Sequence, residues 1–401
     1  MTSLTLKELS ADAIAAISRQ RGEPAWLTER RSQAWSFFAQ AGPPEWRRTD
    51  LSGLRPEELA PTAGTALTLE WDEALAGQGV TLKPLGAALA SHAELIEARM
   101  DAAVAPLEHK FSAMRAALWQ DGVLLHVPKN IAAEKPIRVR YGLPAGSRTT
   151  FPRTLVIVED NAQVTLIEEF ISDDQPDTAL AAPVTEIFAG PGSRVRFVSI
   201  QRWGDGVYHI GGQKVVLERD ADLEWTSVAI GAKVQHIEAE TTLKGDGSRV
   251  NWLGATFAGD AQRLLIAPWL RHIGHHAESY MEFRTVVNDT GYSIFDGMIK
   301  IERESTGTST RLEEHALHLN PGARNDSIPG LKIDTNNVLK GGHASTSGDV
   351  DEEQLFYMQS RGISRTEAKR MIVMGFFGPA FDTIPVEALR AELEAAIEAR
   401  I

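Results

Sequence analysis

A weak repeat of about 28 residues constrains the fold of this chain more than any other feature. Four similar turns, each between two β-rich runs, are followed by an apolar residue that reopens the strand; these residues are Val164, Val195, Leu223 and Val250. They lie 31, 28 and 27 residues apart. A unit this short cannot bury its own apolar face, so neighbouring copies must stack. The repeat therefore predicts a β-solenoid or a long β-sandwich.

The connections between the strands favour parallel stacking over hairpins. Two-residue Asn-Gly and Asp-Gly turns, which close tight hairpins, are sparse. Between about residues 121 and 340 only four Asp-Gly pairs qualify, at 121–122, 205–206, 246–247 and 296–297. Continuous apolar runs joined by modest turns are typical of strands that are buried on both faces. We therefore predict a mainly β fold built on a parallel β-helix, with a Greek-key sandwich as the alternative.

Helical periodicity flanks the β-rich region on both sides. Apolar residues recur at helical spacing over residues 5–41, with a break at Gly22-Glu23-Pro24, and again over residues 91–119. The low-regularity stretch between them predicts turns and short strands. The change in pattern divides the chain into an N-terminal helical or mixed domain (1–120), a β-helix core (121–348) and a C-terminal helical domain (349–401).

The C-terminal domain has the clearest helix signals. Asp349 or Asp351 can cap a first helix that ends at Gly362. Ser364, with a glutamate three residues later, forms a capping box for a second helix, and Gly378-Pro379 is expected to stop it. Pro385 is placed to begin a third. These helices are amphipathic and need a surface to pack against.

Composition narrows the classes of partner. The chain has 41 basic and 54 acidic residues, a formal net charge of −13, which disfavours nucleic acid and anionic membrane surfaces. It has no cysteine, so it cannot itself form a disulfide, a thiolate zinc site or a cysteine nucleophile. No signal peptide or membrane-spanning stretch is predicted. A cytoplasmic location is the expectation.

His343 is the first candidate for a metal-binding residue. Gly341, Gly342, Ala344 and Ser345 leave its imidazole accessible, and imidazole is the commonest protein metal ligand. The alternative is a packed histidine at a strand-to-helix turn.

Other clusters are weaker candidates. His272, His275 and His276 cannot converge from one strand without a bulge. The pair Glu168 and Glu169 and the run 313–315 are expected to lie on solvated strand surfaces.

Several segments then resemble one known family. They are GHASTSG at 342–348, DEEQLFYMQSRGIS at 351–364 and EAKRMIVMGFF at 367–377, supported by PEWRRTDL at 44–51, HHAESY at 275–280 and DGMIKI at 296–301. The chain resembles the SufB/SufD family of iron–sulfur cluster assembly proteins, and within it the SufD branch. Two features favour that branch. SufB-type sequences carry a glutamate where Ala344 stands here, and they carry acceptor cysteines that this chain lacks.

The resemblance implies a right-handed parallel β-helix flanked by N- and C-terminal helices. It implies a scaffold without catalytic activity that pairs with a SufB-like paralogue and docks a SufC-like ATPase through its C-terminal helices. Whether the isolated chain is a homodimer is left open by the sequence. His343 would lie at the paralogue interface as a ligand of a transient iron–sulfur cluster. The partner must supply the other ligands, because such clusters are usually held by four side chains and no cofactor is expected to bind this chain tightly by itself.

The apolar faces of the C-terminal helices become candidates for the ATPase dock, and packing within the protein is their alternative. The candidate dock residues are Leu355, Phe356, Tyr357, Arg361, Gly362, Met371 and Ile372. Two other classes of function stay open: a β-helix enzyme acting on polysaccharide through a carboxylate-lined groove, and a homo-oligomeric structural β-solenoid.

Overall fold

The computed structural model describes residues 9–60, 65–120, 122–144, 146–173 and 177–401. The helices in these ranges are α1 Ala11–Gln20, α2 Ala25–Gln40, α3 Leu85–Arg99, α4 Lys110–Leu118, α5 Glu352–Ser360, α6 Arg365–Phe381 and α7 Glu387–Glu398. The strands are β1 Ala66–Glu70, β2 Thr81–Pro84, β3 Gly122–Val127, β4 Ile137–Gly142, β5 Thr149–Thr150, β6 Arg153–Val158, β7 Gln163–Ile171, β8 Ala179–Ala181, β9 Val184–Ala189, β10 Arg194–Arg202, β11 Val207–Leu217, β12 Asp222–Ala229, β13 Val234–Leu243, β14 Arg249–Ala258, β15 Arg263–His272, β16 Glu278–Val287, β17 Tyr292–Phe295, β18 Met298–Ile301, β19 Thr308–His318, β20 Arg324–Ser327, β21 Gly330–Ile333 and β22 Val338–Asp349.

The strands form two long sheets, and the chain alternates between them. Sheet A has the order β1-β4-β7-β10-β12-β14-β16-β19-β22, and sheet B runs from β2 through β3, β6, β9, β11, β13, β15 and β17 to β20. Apart from β1 and β2, these strands pair in parallel. Val195 pairs with both Val164 and Leu223, and Leu223 pairs with Val250. The repeat and the predicted parallel β-helix are therefore confirmed, and the sandwich alternative is wrong.

The interior of the β-helix holds the main core. Alternate side chains of each strand point between the two sheets and stack on the equivalent residue of the next turn. Trp225 and Trp252 stack almost face to face, with ring centroids 3.9 Å apart and planes 4° apart. Phe197 and Phe283 extend the same apolar interior on either side. At about 25 cal/mol per Å² of buried apolar area, these large side chains are a major source of stability.

The flanking helices cover the two outer faces of the β-helix. The N-terminal helices pack on the outer face of sheet B, in a cluster that includes Trp35, Phe38, Met114, Leu155, Phe188 and Tyr208. The C-terminal helices pack on the outer face of sheet A, in a cluster that includes Ile167, Val228, Phe257, Phe377, Leu389 and Leu393. Many strands are consequently buried on both faces, as their near-continuous apolar sequences require. No helix in the described part of the chain combines the length and apolarity needed to cross a bilayer.

Most of the predicted helices are present, and three details differ. The break at 22–24 separates α1 from α2 as predicted, while residues 5–8 of that segment lie outside the described residues. The helix predicted over 91–119 is two helices, because the loop after α3 is tied down by hydrogen bonds from the backbone N–H groups of Asp101, Ala103 and Val104 to Glu186.

Pro379 does not stop the second C-terminal helix, which continues to Phe381. Proline costs one backbone hydrogen bond and a steric clash. The burial of Phe377, Ala380 and Phe381 offsets that cost. The third difference, the conformation around His343, concerns the candidate site.

Candidate functional site

The last turn of the β-helix forms an uncovered end. Strand β22 is the final strand of sheet A, and β20 and β21 are the final strands of sheet B. Among the described residues, no strand pairs with their outer edges. The side chains of Leu331 and Val338 only partly cover the interior, and Ile333 and Leu339 are exposed. We call this surface, formed by β20, β21 and β22, the open end.

His343 lies in the middle of β22 and not in a turn. The alternative of a histidine at a strand-to-helix turn is wrong because residues 338–349 pair in parallel with β19, apart from a bulge at Leu339, despite a composition of small residues that is typical of turns. The register places His343 directly over Leu312, which stacks on Met281 and Trp252. Its exposed imidazole therefore ends an interior column of large apolar residues.

The exposed edge of β22 carries little to prevent pairing. The strand has 12 residues, and between Gly341 and Ser347 there is no proline and no lysine, arginine or carboxylate. Natural proteins usually protect long edge strands with such residues or cover them. Gly342 and Gly348 face open space, so a neighbouring backbone can approach closely there. The edge is suited to main-chain pairing with another strand.

The candidate residues for the ATPase dock fall into a buried group and an exposed group. Leu355 is fully buried and Ile372 is half-buried against the cluster that holds the C-terminal helices to sheet A. Phe356, Tyr357 and Met371 are exposed by 73%, 59% and 49%.

Two further candidate dock residues, Arg361 and Gly362, follow α5. Arg361 donates from Nη2 to the Tyr357 hydroxyl at 3.2 Å and lies over its ring. Gly362 has a φ of +87°, which explains its glycine, and Ser364 caps α6 as predicted. The exposed apolar residues of this helical hairpin, Phe356, Tyr357 and Met371, are called the hairpin patch.

The open end and the helical hairpin are directly connected. Strand β22 ends at Asp349 and α5 begins at Glu352, with Asp351 as its N-cap. Val350, between them, is buried among the residues that anchor the C-terminal helices. Only two residues therefore separate the helical hairpin from β22.

Glu168 and Glu169 are buried and do not lie on a solvated edge. Glu168 points into the β-helix, where Thr154 and Thr185 donate hydrogen bonds to it at 2.5 and 2.8 Å. Burial raises the pKa of Glu168 to about 7. Glu169 points outward and accepts a hydrogen bond from Arg138 at 2.9 Å. The expectation failed because both faces of β7 are covered, and these carboxylates do not line a groove for polysaccharide.

The burial of Glu314 also differs from the prediction. The run 313–315 was expected to be a polar strand surface, but only its outward members fit that description: Glu313 accepts from the Tyr280 hydroxyl at 3.0 Å, and His315 lies 2.7 Å from the Thr346 hydroxyl. Glu314 points inward and is fully buried. Alternation along the strand could have placed it inside, since Leu312 and Ala316 flank it at the same parity.

The PEWRRTDL segment lies against the outer face of sheet B. The Trp46 ring stacks on His236 with centroids 3.6 Å apart, and Thr49 Oγ1 lies 2.6 Å from His236 Nδ1. Burial lowers the pKa of His236. A cleft of about 470 Å³ lies beside this contact, between Trp46 and the exposed Trp269. The segment fixes the N-terminal helical region on the β-helix.

The described residues contain no cluster of three or more histidine or acidic side chains that could hold a metal ion. His272, which sequence reasoning considered with His275 and His276, is buried and bonded to Ser279 at 2.9 Å. Strand β15 ends at His272, and His276 adopts a positive φ in the following turn. The three histidines therefore do not form a metal site.

Comparison with known proteins agrees with this architecture. Residues 142–376 match the family model described as SUF system FeS cluster assembly, SufBD core domain, and residues 62–139 match the SufBD protein N-terminal region. The chain is similar to the iron–sulfur cluster assembly protein SufD of Bacillus subtilis, with 28% identity over all of both chains. It is 27% identical to SufB of the same species, over 94% of this chain and 90% of that one.

A SufBD family protein of Staphylococcus saprophyticus is also 27% identical, with the same coverage of 94% and 90%. The core model alone spans more than half of the 401 residues. This chain belongs to the SufB/SufD family of iron–sulfur cluster assembly proteins.

Proposed function

We propose that the chain is the SufD-type scaffold subunit of an iron–sulfur cluster assembly complex and has no catalytic activity of its own. The observation that carries the proposal is the open end, where a 12-residue strand, whose outer edge pairs with no other described strand, presents His343. Ala344 and the absence of cysteine support the SufD branch over the SufB branch. The comparisons alone do not separate the branches, because the identities to SufD and SufB are 28% and 27%.

The partner at the open end is a SufB-like paralogue. A related β-helix offers a matching strand edge, and its cysteines supply the thiolate ligands that this chain lacks. In this arrangement His343 contributes one imidazole to a transient cluster, which is the cargo of the complex. Without the paralogue, the same edge pairs with a second copy and gives a homodimer.

The hairpin patch is the dock for a SufC-like ATPase. Phe356, Tyr357 and Met371 are exposed apolar residues of the kind that carry binding energy at protein interfaces. Nucleotide binding by the ATPase would move the hairpin. The short link through Val350 would then shift β22 and expose the region around His343.

The proposed organisation also includes the three-part division at residues 120/121 and 348/349. The β-helix carries the paralogue interface, and the C-terminal helices carry the ATPase dock. The location is proposed to be the cytoplasm, where a reducing environment preserves the partner's thiolates.

Co-purification tests the proposal. The chain is tagged in its own host, isolated anaerobically, and its partners are identified by mass spectrometry. We expect a cysteine-bearing paralogue and an ATPase at fixed stoichiometry, and His343→Ala is expected to reduce cluster formation by the reconstituted complex. Isolation of the chain by itself, with an activity on a glycan, would contradict the proposal.

A further inference from the structure

Two buried glutamates lie in one column of residues inside the β-helix. The pairing register stacks six interior residues, Glu168, Ser199, Ser227, Gly254, Phe283 and Glu314, and ends at Ser345 on the exposed strand β22. Glu168 lies toward the N-terminal end of this column, and Glu314 lies one strand below β22. Both side chains are fully buried. The column therefore allows two carboxyl groups in similar positions to be compared.

The carboxyl group of Glu168 is well supplied with hydrogen-bond donors. Thr154 donates to Oε1 at 2.5 Å, Thr185 donates to Oε2 at 2.8 Å, and Gln213 Nε2 donates to Oε2 at 3.4 Å. Both of its oxygens are bonded within the protein. Glu168 needs no further ligand.

Glu314 is different. Its Oε1 accepts one hydrogen bond, from Asn325 Nδ2 at 3.2 Å. In the described part of the chain, no donor lies in hydrogen-bonding geometry with Glu314 Oε2 or with Asn325 Oδ1, although both atoms are buried. Burial raises the pKa of Glu314, and hydrogen-bonding interactions with the Ser327, Asn325 and Thr285 side chains offset only part of that effect, with Asn325 in the best geometry. Ser327 Oγ is a third buried oxygen without a partner in hydrogen-bonding geometry among the described residues, and a group of such oxygens is an arrangement that a cation can satisfy.

These acceptors lie beside His343. Ser345 stacks directly on Glu314, and His343 precedes Ser345 by two residues, so the His343 and Glu314 side chains point to the same face of sheet A. Adjacent strands are about 4.8 Å apart and a two-residue step is about 6.6 Å, so the two positions are roughly 8 Å apart along the diagonal. An imidazole and a glutamate side chain can reach one ion across that separation.

We propose that Glu314, supported by the side-chain oxygen of Asn325, is a second ligand for ferrous iron at the open end, next to His343. Carboxylate, amide oxygen and imidazole are suitable ligands for a divalent first-row metal. Coordination positions left free by this chain are open to thiolates of a partner. This inference rests on the proposed role in cluster assembly and adds residues to the same site.

The test compares Glu314→Gln with Glu313→Gln. Glutamine preserves the size of the side chain and removes its charge, and Glu313, the next residue, points to the opposite face, where it bonds Tyr280. Anaerobic equilibrium dialysis measures the binding of ferrous iron alone to the full chain and to the co-purified complex. Glu314→Gln is expected to weaken binding at least about tenfold, as is His343→Ala, while Glu313→Gln leaves it unchanged. Thermal melting verifies that each variant is folded.

The outcomes separate this inference from the proposed function. If His343→Ala weakens iron binding but Glu314→Gln does not, the role of Glu314 is overturned and the scaffold role stands. If Glu314→Gln weakens iron binding but no paralogue or ATPase co-purifies, the metal site stands and the scaffold role fails. Should Glu314→Gln not fold, Glu314→Asp, which keeps the charge and withdraws the carboxylate by one methylene, is expected to weaken binding at least about threefold. Unchanged binding by that variant would also overturn the inference.

Discussion

The two ends of the β-helix are built differently. At the first turn, the antiparallel strands β1 and β2 close sheets A and B, and the side chains of Leu67, Leu69 and Trp71 pack over the interior. At the last turn, the outer edge of β22 pairs with no other strand in the described part of the chain, and Leu339 is exposed by 69%. Stacked repeats need a capping element at each end to stay monomeric in water. The difference shows that the first end is capped within this chain, and it supports the proposal that the last end is a joining surface.

The column of residues that runs from Trp252 through Met281 and Leu312 to His343 provides the strongest contrast in stability between the interior and the open end. Trp252→Ala removes a stacked indole from its buried end, and we expect a loss of about 3–5 kcal/mol in the free energy of unfolding, because a cavity remains. His343→Ala, at the exposed end of the same column, is expected to change it by less than about 0.5 kcal/mol. Urea denaturation measures both. Equal losses would show that the open end is packed like the interior.

The pH dependence of stability tests the buried carboxyl group of Glu168. Its folded-state pKa is raised to about 7, against an ordinary value of 4.5. Between these values the folded protein retains a proton that the unfolded chain releases, so the contribution of this group to stability falls as pH rises. The total loss is on the order of 3 kcal/mol by pH 7.

Glu168→Gln removes that dependence and keeps a side chain of similar size. The variant is therefore expected to gain stability relative to the parent protein as pH rises from about 4.5 to about 7. Unfolding midpoints across this range measure the difference. A constant difference across this range would show that folding does not raise the pKa of Glu168.

A charge at the open end should block the joining surface. Ser345→Lys places an ammonium group on the exposed strand, where it is hydrated in the isolated chain but must be desolvated when another strand pairs with β22. We expect roughly 100-fold weaker binding of the paralogue, or about 2.7 kcal/mol. Thr68→Lys on the capping strand β1 is the matched control and should bind normally. Equal effects of the two lysines on affinity would contradict the distinction between the ends.

Substitutions in the hairpin patch should weaken the binding of the ATPase and leave the binding of the paralogue unchanged. Phe356→Ser removes the most exposed of its large side chains, and we expect about tenfold weaker ATPase binding, or about 1.4 kcal/mol, with paralogue binding unchanged. Leu107→Ser, at an exposed apolar residue of the N-terminal region, is the control. Calorimetric titration measures the affinities. A loss of paralogue binding in Phe356→Ser would show that the two surfaces are not separate.

The sequence was most informative where one physical requirement dominated. The positions 164, 195, 223 and 250 stack in register as the repeat requires, because the stacked turns bury one apolar position after another. The predicted helix N-caps Asp351 and Ser364 are also confirmed. N-capping is a local signal, because the side-chain oxygen accepts a hydrogen bond from a backbone N–H group only two or three residues later. The domain boundaries and the roles of the dock residues stay predictions.

The sequence was less informative where pairing partners were distant. Glu168 could have been placed inside from alternation, since Leu166 and Phe170 flank it at the same parity. Glu169 lies on the outer face, and its burial depends on contacts such as those with Arg138 and Arg202, which are distant in the chain. The small residues around His343 suggested a turn, yet β19 pairs with them as a strand. Glu314 could have been placed inside from alternation alone, but its donor-free oxygen depends on Asn325 from the opposite sheet.

Backbone hydrogen exchange of β22 tests the joining surface most directly. The exchange of residues 338–349 is compared by mass spectrometry between the isolated chain and the chain mixed with its cysteine-bearing paralogue. Because main-chain pairing would protect amides at the unpaired edge, the account predicts slower exchange there and no change in β1 at the capped end. Unchanged exchange in β22 of a chain that is bound to the paralogue would contradict it.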